Sequence, residues 1–194
     1  MCKGTGFIVV KMNTNKRVVI SGSPGGGKTS IIDVLKNKQH IVFEEYSRTL
    51  IQTARDKGTE NLFLEDPQYF SEQLFLGRKK QFEAGTSRTT SKESAVFYDR
   101  GIHDIYAYLL AINKATPLWK EKVQAFTYDL VFLVPPWEEI YTRDEQRLET
   151  FEEAEYYYPF LKEVYSAQHK VVEVPQMSVM ARVDFITSYI QQHG

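Results

Sequence analysis

The stretch VVISGSPGGGKTS, residues 18–30, confines the chain to few architectures. Its apolar, β-branched opening reads as a buried strand. Three consecutive glycines follow, then a lysine and two hydroxyl residues that begin a helical pattern over Lys28–Lys36. GSPGGGKT, Gly22–Thr29, matches GxxxxGK[ST] in the strand–turn–helix context which that pattern requires. Glycines at these positions let successive amide N–H groups turn inward toward phosphates, and the helix N-terminus adds the positive end of its dipole. The expectation is a nucleoside triphosphate cradled by Gly22, Ser23, Pro24, Gly25, Gly26 and Gly27. Lys28 would reach the β- and γ-phosphates, the Thr29 hydroxyl would coordinate Mg²⁺, and Ser30 would support the α-phosphate end. A glycine-rich turn with an exposed lysine is the competing reading.

The rest of the chain fits one α/β domain over residues 16–194. Near-continuous apolar runs at 17–21, 40–43, 94–99, 129–134 and 170–174 read as strands covered on both faces. Helical patterns lie between them at 28–36, 46–57, 67–84, 102–113, 118–126, 151–167 and 179–192. The polar segment GTSRTTSKE, 85–93, reads as an exposed loop, and residues 1–15 as an N-terminal extension or extra edge strand.

Composition narrows the partners. With 24 Lys+Arg against 25 Asp+Glu the net charge is −1, so no global basic field recruits nucleic acid or anionic membrane. The basic run Arg78–Lys80 is a single small cluster. Cys2 is the only cysteine, which excludes an internal disulfide and a cysteine-based zinc site and fits a reduced cytoplasm. No apolar run approaches the roughly 20 residues that span a bilayer.

Three further segments carry candidate chemistry. In FEEYSRTLI the second strand ends on Glu44 and Glu45, which point in opposite directions if both stay extended, so one faces the cleft. A cleft carboxylate there can accept the proton of an acceptor hydroxyl or orient a water, and Arg48 can hold a substrate anion or pair with the acid; a solvated helix start accounts for the same acids. FYDRGIHD ends the third strand on Asp99, placed to hold Mg²⁺ through water, followed by Arg100 for the acceptor or a phosphate. No Glu follows Asp99, which argues against a motor ATPase. His103 reads as an ordinary surface or capping residue, and Asp104 is a minor candidate. After the proline pair that ends the fourth strand, Arg143 and Arg147 stand four apart in a lid around 141–158 and can clamp a transferring phosphoryl group; with Asp144, Glu145 and Glu149 nearby they also fit a salt-bridged surface helix. Pro175 and Gln176 lie near the expected adenine position. No NKxD or TKxD is present to read guanine, which favours ATP over GTP.

Taken in order, GSPGGGKTS, EEYSR, FYDRGIHD, the PP turn with RDEQR, and VVEVP followed by SVMARVDFI resemble the P-loop kinase-like ATPase domains grouped with AAA families and related to the nicotinamide riboside kinase domain of bacterial NAD regulators. The resemblance covers residues 16 to about 192. It implies a P-loop three-layer α/β/α sandwich, a parallel five-stranded sheet in the kinase-type order 2-3-1-4-5, and functional positions at Glu45, Asp99, Arg143 and Arg147. The leading expectation is an ATP- and Mg²⁺-dependent phosphotransferase acting on a small, nucleoside-like acceptor. The alternative is a nucleotide-dependent regulatory ATPase or GTPase switch. An open cleft beside Glu45 and the helix over 67–84 favours the first, and a cleft filled by core side chains the second.

Overall fold

The computed structural model describes residues 15–59, 62–87, 95–141 and 150–193. Five strands, β1 (Lys16–Gly22), β2 (Val42–Phe43), β3 (Ala95–Asp99), β4 (Leu130–Val134) and β5 (Val171–Glu173), form one sheet in the order β2-β3-β1-β4-β5. All four pairings are parallel. The expected order is therefore the observed one. The helices are α1 (Lys28–Asn37), α2 (Tyr46–Arg55), α3 (Leu62–Glu65), α4 (Pro67–Ser87), α5 (His103–Ala111), α6 (Pro117–Gln124), α7 (Phe151–Ser166) and α8 (Val179–Gln192).

Alternation along the strands builds a core on each face of the sheet. Val18 and Ile20 pack with Ile31 and Leu35 of α1 and with Val183 and Ile186 of α8. Val19, Tyr98 and Leu133 face the other way, onto Ala107 of α5 and Leu161 and Tyr165 of α7. Each fully buried Val, Ile or Leu contributes about 1.5–3 kcal/mol, which is why the central strands read as unbroken apolar runs. A third cluster, Phe70, Leu74, Ile105, Leu109 and Trp119, joins α4, α5 and α6 beyond the sheet.

The boundaries shift where local chemistry competes with pattern. The second strand begins at Val42 rather than His40, because the His40 amide donates to Leu35 O at 3.0 Å and Gln39 turns left-handed at φ 65° to close α1. Helix α4 runs three residues past the expected 84 and takes in Gly85–Ser87, the start of the segment read as an exposed loop. Gly85 is buried, and a Cβ there would collide with the Tyr98 hydroxyl. Helix α3 and a 3₁₀ turn at Glu138–Ile140 are additions. Helix α7 opens with a capping box in which the Thr150 hydroxyl accepts from Glu153 N at 3.2 Å and Thr150 N donates to the Glu153 carboxylate at 2.6 Å. Residues 1–14, 88–94 and 142–149 lie outside the described residues. With them fall most of the N-terminal extension, much of the polar loop, and Arg143 and Arg147. Among the described residues no helix is long and apolar enough to cross a membrane.

Candidate active site

The sheet order brings the C-terminal ends of β2, β3 and β1 together, and the candidate residues sit on the loops leaving them. The loop from β1 to α1 carries the glycines. Gly27 caps α1 at φ 77° and Gly25 lies at φ 83° against the Tyr141 ring, a region of backbone space that L side chains enter at a cost. Gly26 approaches Pro135 so closely that a Cβ would lie 2.5 Å from its carbonyl oxygen. Ser23 is 2% exposed and its hydroxyl has no protein partner. An orphaned buried hydroxyl beside glycines in a strand-to-helix turn fits an anion cradle. Pro24 lines the cleft in front of this loop, whereas Ser30 is exposed and is not part of that cleft's lining.

Lys28 is 7% exposed and pairs with Asp99 and, at 3.7 Å, with Glu45. Glu44 and Glu45 diverge: Glu44 reaches out to Lys36, while Glu45 turns into the cleft. There the Glu45 carboxylate accepts from Arg100 Nε at 2.7 Å, Arg78 at 3.1 Å and the Ser47 hydroxyl at 2.8 Å. Burial pushes its pKa up, but Arg100, Lys28 and Arg78 outweigh that and hold it well below the usual carboxylate range. Arg100 makes its contact from a left-handed backbone at φ 69°. That strain, of order 1 kcal/mol or more, is offset by the ion pairs it permits.

Asp104 is the second centre. It accepts from the Ser21 hydroxyl at 2.5 Å, Arg100 at 3.1 Å, Gly101 N at 3.0 Å and the Tyr165 hydroxyl at 2.5 Å. Burial raises its pKa, yet Arg78 and Arg100 with these bonds bring it below its ordinary value. A residue read as a minor candidate thus ties β1, β3 and α7 together beneath the cleft. His103 differs more from its reading as a surface or capping residue. It is 1% exposed, its ring centroid is 4.4 Å from that of His169, and burial with that neighbour pushes its pKa down to about 4.

The principal cavity, about 490 Å³, starts at Ser23–Thr29, passes Glu45, Arg78 and Arg100, and continues between α2, α4, α5 and α7. A smaller one of about 270 Å³ is lined by both Thr29 and Asp99, with Glu45 and Arg48. Arg48 is exposed and its guanidinium lies 3.4 Å from the Thr29 hydroxyl. Among the described residues no cluster of three His, Cys, Asp or Glu could hold a metal. A hydroxyl and one carboxylate beside a phosphate cradle nevertheless suit Mg²⁺, which keeps several waters and takes the rest of its ligands from phosphate oxygens. Pro175 and Gln176 lie exposed on the loop from β5 to α8, where Gln176 donates to Pro136 O at 3.2 Å.

Two arginines escaped the sequence reading. Arg78 reads in sequence as part of one small basic cluster, yet it is 3% exposed and donates to both Glu45 and Gly101 O, the latter at 2.9 Å. The signal was its spacing, since Phe70, Leu74 and Arg78 recur every four residues on the buried face of α4. Arg182 of α8 donates to Gly26 O at 2.7 Å and lies over the Trp137 ring. Its separation of 156 residues from the loop left no local signal.

A family model described as an AAA domain matches residues 17–182. No curated protein matches the chain in sequence. Among solved structures, deoxyadenosine kinase from M. mycoides with products dCMP and a flexible dCDP bound is similar at 14% identity and a TM-score of 0.63, over 91% of this chain and 99% of that one. The same organism's deoxyadenosine kinase with bound dATP is similar at 15% identity and 0.55, over 90% and 99%, and with bound dCTP at 15% and 0.56, over 91% and 99%.

Proposed function

The chain belongs to this AAA-domain family of P-loop proteins, and from that premise we propose that it transfers the γ-phosphate of ATP to a hydroxyl of a small acceptor. The observation that carries this reading is the continuity of the principal cavity. One space of about 490 Å³ runs from the phosphate loop past Glu45 into a chamber between helices, so that donor and acceptor can meet with little water between them. A switch that only bound and slowly hydrolysed nucleotide would have no use for that chamber.

ATP is the donor substrate. The loop amides and Lys28 hold its phosphates, and Lys28 exchanges Asp99 for them as it does so. Thr29 and Asp99 would hold Mg²⁺, which neutralises charge on the phosphate oxygens. The acceptor oxygen forms a bond to the γ-phosphorus as the bond to the β–γ bridging oxygen breaks, ADP leaves, and the hydroxyl proton passes to Glu45 and on to solvent. Glu45 is a weak base, held ionised by Arg100 and its neighbours. That suits a loose transition state, in which orienting the hydroxyl matters more than removing its proton early. Arg48 orients the acceptor and, with Arg100, lines the cavity facing the transferred group. Arg143 and Arg147, outside the described residues, would clamp the transferring phosphoryl group; the later part of the expected lid, from Phe151 on, is instead the packed start of α7. Pro175 and Gln176 meet the base. In this reading residues 16–194 act as one kinase-like unit, with 1–15 as an extension.

Two substitutions test the scheme. Lys28→Ala should lower ATP affinity at least a hundredfold in a calorimetric titration while the protein stays folded; unchanged affinity would remove the proposal's basis. Glu45→Gln should lower the rate of transfer to a confirmed acceptor by tenfold or more with ATP affinity little changed, and an unaffected rate would deprive Glu45 of its role. Nucleosides, nicotinamide riboside among them, belong in the acceptor screen because the sequence resembles nicotinamide riboside kinase domains and the similar folds are deoxyadenosine kinases.

A further inference from the structure

The acceptor chamber has a large apolar share. Ile51, Phe63, Phe70, Leu74, Ile105 and Ile112 all line it, on or at the end of the helices that lead away from the phosphate loop. Three tyrosines also line the cavity, and each spends its phenolic proton on the protein backbone. Tyr108 donates to Phe63 O at 2.9 Å, Tyr156 to Ala111 O at 3.1 Å and Tyr157 to Asp104 O at 3.1 Å. What each leaves to a ligand is its ring and the acceptor lone pairs of its oxygen, not a donor.

Most of the carboxylate oxygens are engaged as well. Glu45 is held by Arg78 and Arg100, Asp104 by Ser21, Arg100 and Tyr165, and one oxygen of the exposed Glu153 by the amide of Thr150 in the cap of α7. Among the described residues no Asn or Gln lines the cavity. Gln68 is paired with Trp119 and Lys114, and Gln81 with Glu44 O, both outside it. A nucleobase entering this space would give up its hydrogen bonds to water and find, among the described residues, the Arg48 guanidinium but no side-chain amide able both to donate and to accept, whereas an apolar body would meet six apolar side chains and three tyrosine rings. A buried polar group left unpaired is penalised far more than a lost apolar contact, and sites that read such groups supply matching partners.

We infer that the acceptor is an uncharged alcohol with an apolar body, aliphatic or aromatic, whose hydroxyl meets Glu45 while its carbon skeleton fills the chamber between α2, α4, α5 and α7. This rests on reading the cleft as the acceptor site of a phosphotransferase. Its chemistry is ordinary for that reaction: the alcohol oxygen takes the phosphoryl group from ATP, the proton leaves through Glu45, and a phosphate monoester and ADP result.

The test separates binding from transfer. With ADP and Mg²⁺ saturating, the full chain is titrated calorimetrically with geraniol, 3-phenylpropanol, deoxyadenosine and nicotinamide riboside. The expected result is an affinity for one or both apolar alcohols at least tenfold above that for either nucleoside, with a negative heat-capacity change from apolar burial. Ala111→Trp, checked for native circular dichroism, should lose the alcohol binding by filling the chamber. Tighter binding of a nucleoside, or no alcohol binding up to millimolar concentration, overturns the inference. Phosphorus NMR with ATP then reads transfer. Alcohol binding without any transfer would overturn the phosphotransferase reading and spare the chamber's specificity, while transfer to nucleosides alone would do the reverse.

Discussion

Arg78 occupies a place where a cation survives only through its partners. Its planar fork serves two acceptors at once, the Glu45 carboxylate and the Gly101 carbonyl, from a position 3% exposed. Replacing it with Met fits the volume but takes one cation from Glu45, which keeps Arg100 and Ser47, and leaves the Gly101 carbonyl only the longer bond from Asp104 N. Breaking a buried pair costs about 3–5 kcal/mol when the remaining charge is uncompensated, and here the partners that stay bring the expected cost to about 2–3 kcal/mol. Urea unfolding of Arg78→Met should show a loss of that size, and Arg78→Lys should recover only part of it because an ammonium cannot reproduce the fork; full recovery by Lys would mean that charge alone matters. Residues on the phosphate loop and at strand ends were legible in the sequence because their chemistry is local, as with Lys28 beside its glycines and Glu45 after a strand. Arg78 was not, because its neighbours Lys79 and Lys80 advertise a surface while its own direction is set by the four-residue spacing to Leu74 and Phe70.

At the scale of elements, patterning located the strand ends to within one residue except where a turn intervened, as at His40, two residues before the observed start, whose amide closes α1. What pattern could not show is how closely helices approach. Helix α4 meets α2 at Gly77, where a Cβ would run into the Tyr46 ring. Gly77→Ala therefore sets two effects against each other. Helix propensity favours Ala by about 1 kcal/mol, and overpacking typically costs about 1–3 kcal/mol. The ring of Tyr46 packs against the cluster that α4 shares with α5 and α6, which limits its retreat. The expected outcome is net destabilisation by about 1 kcal/mol in thermal or urea unfolding, and a gain in stability would show that α2 yields. Helix α3 and the 3₁₀ turn at Glu138–Ile140 were illegible for a different reason: at four and three residues they are too short to display a period.

For the whole molecule, pH is the readout that the buried imidazoles control. His103 packs against His169, Tyr165 and Tyr128, touches Gln168 and precedes Asp104, and it stays neutral in the fold down to about pH 4. In the unfolded chain it takes a proton near pH 6.5. Its contribution is fully present above pH 6.5 and is lost as the pH falls toward 4, by up to about 3 kcal/mol. His169, also lowered by burial, acts in the same direction. Glu45 and Asp104, both held low, add their loss only at more acidic pH. Urea unfolding measured from pH 7.5 to 4.5 should trace this decline, and His103→Leu should flatten it; an unchanged slope would assign the decline elsewhere. The sheet order was foreseeable only through the resemblance to P-loop kinase-like domains, because the strand pattern by itself sets no order. The closure of the phosphate loop by Arg182 was not, since it joins two ends of the chain. That closure bears on biosynthesis. Gly26 leaves the ribosome 156 residues ahead of Arg182, so its carbonyl waits for its partner until α8 has emerged. A nascent chain ending before residue 182 carries the glycine-rich sequence without its finished loop, so the capacity to capture nucleotide should appear only once α8 has been made.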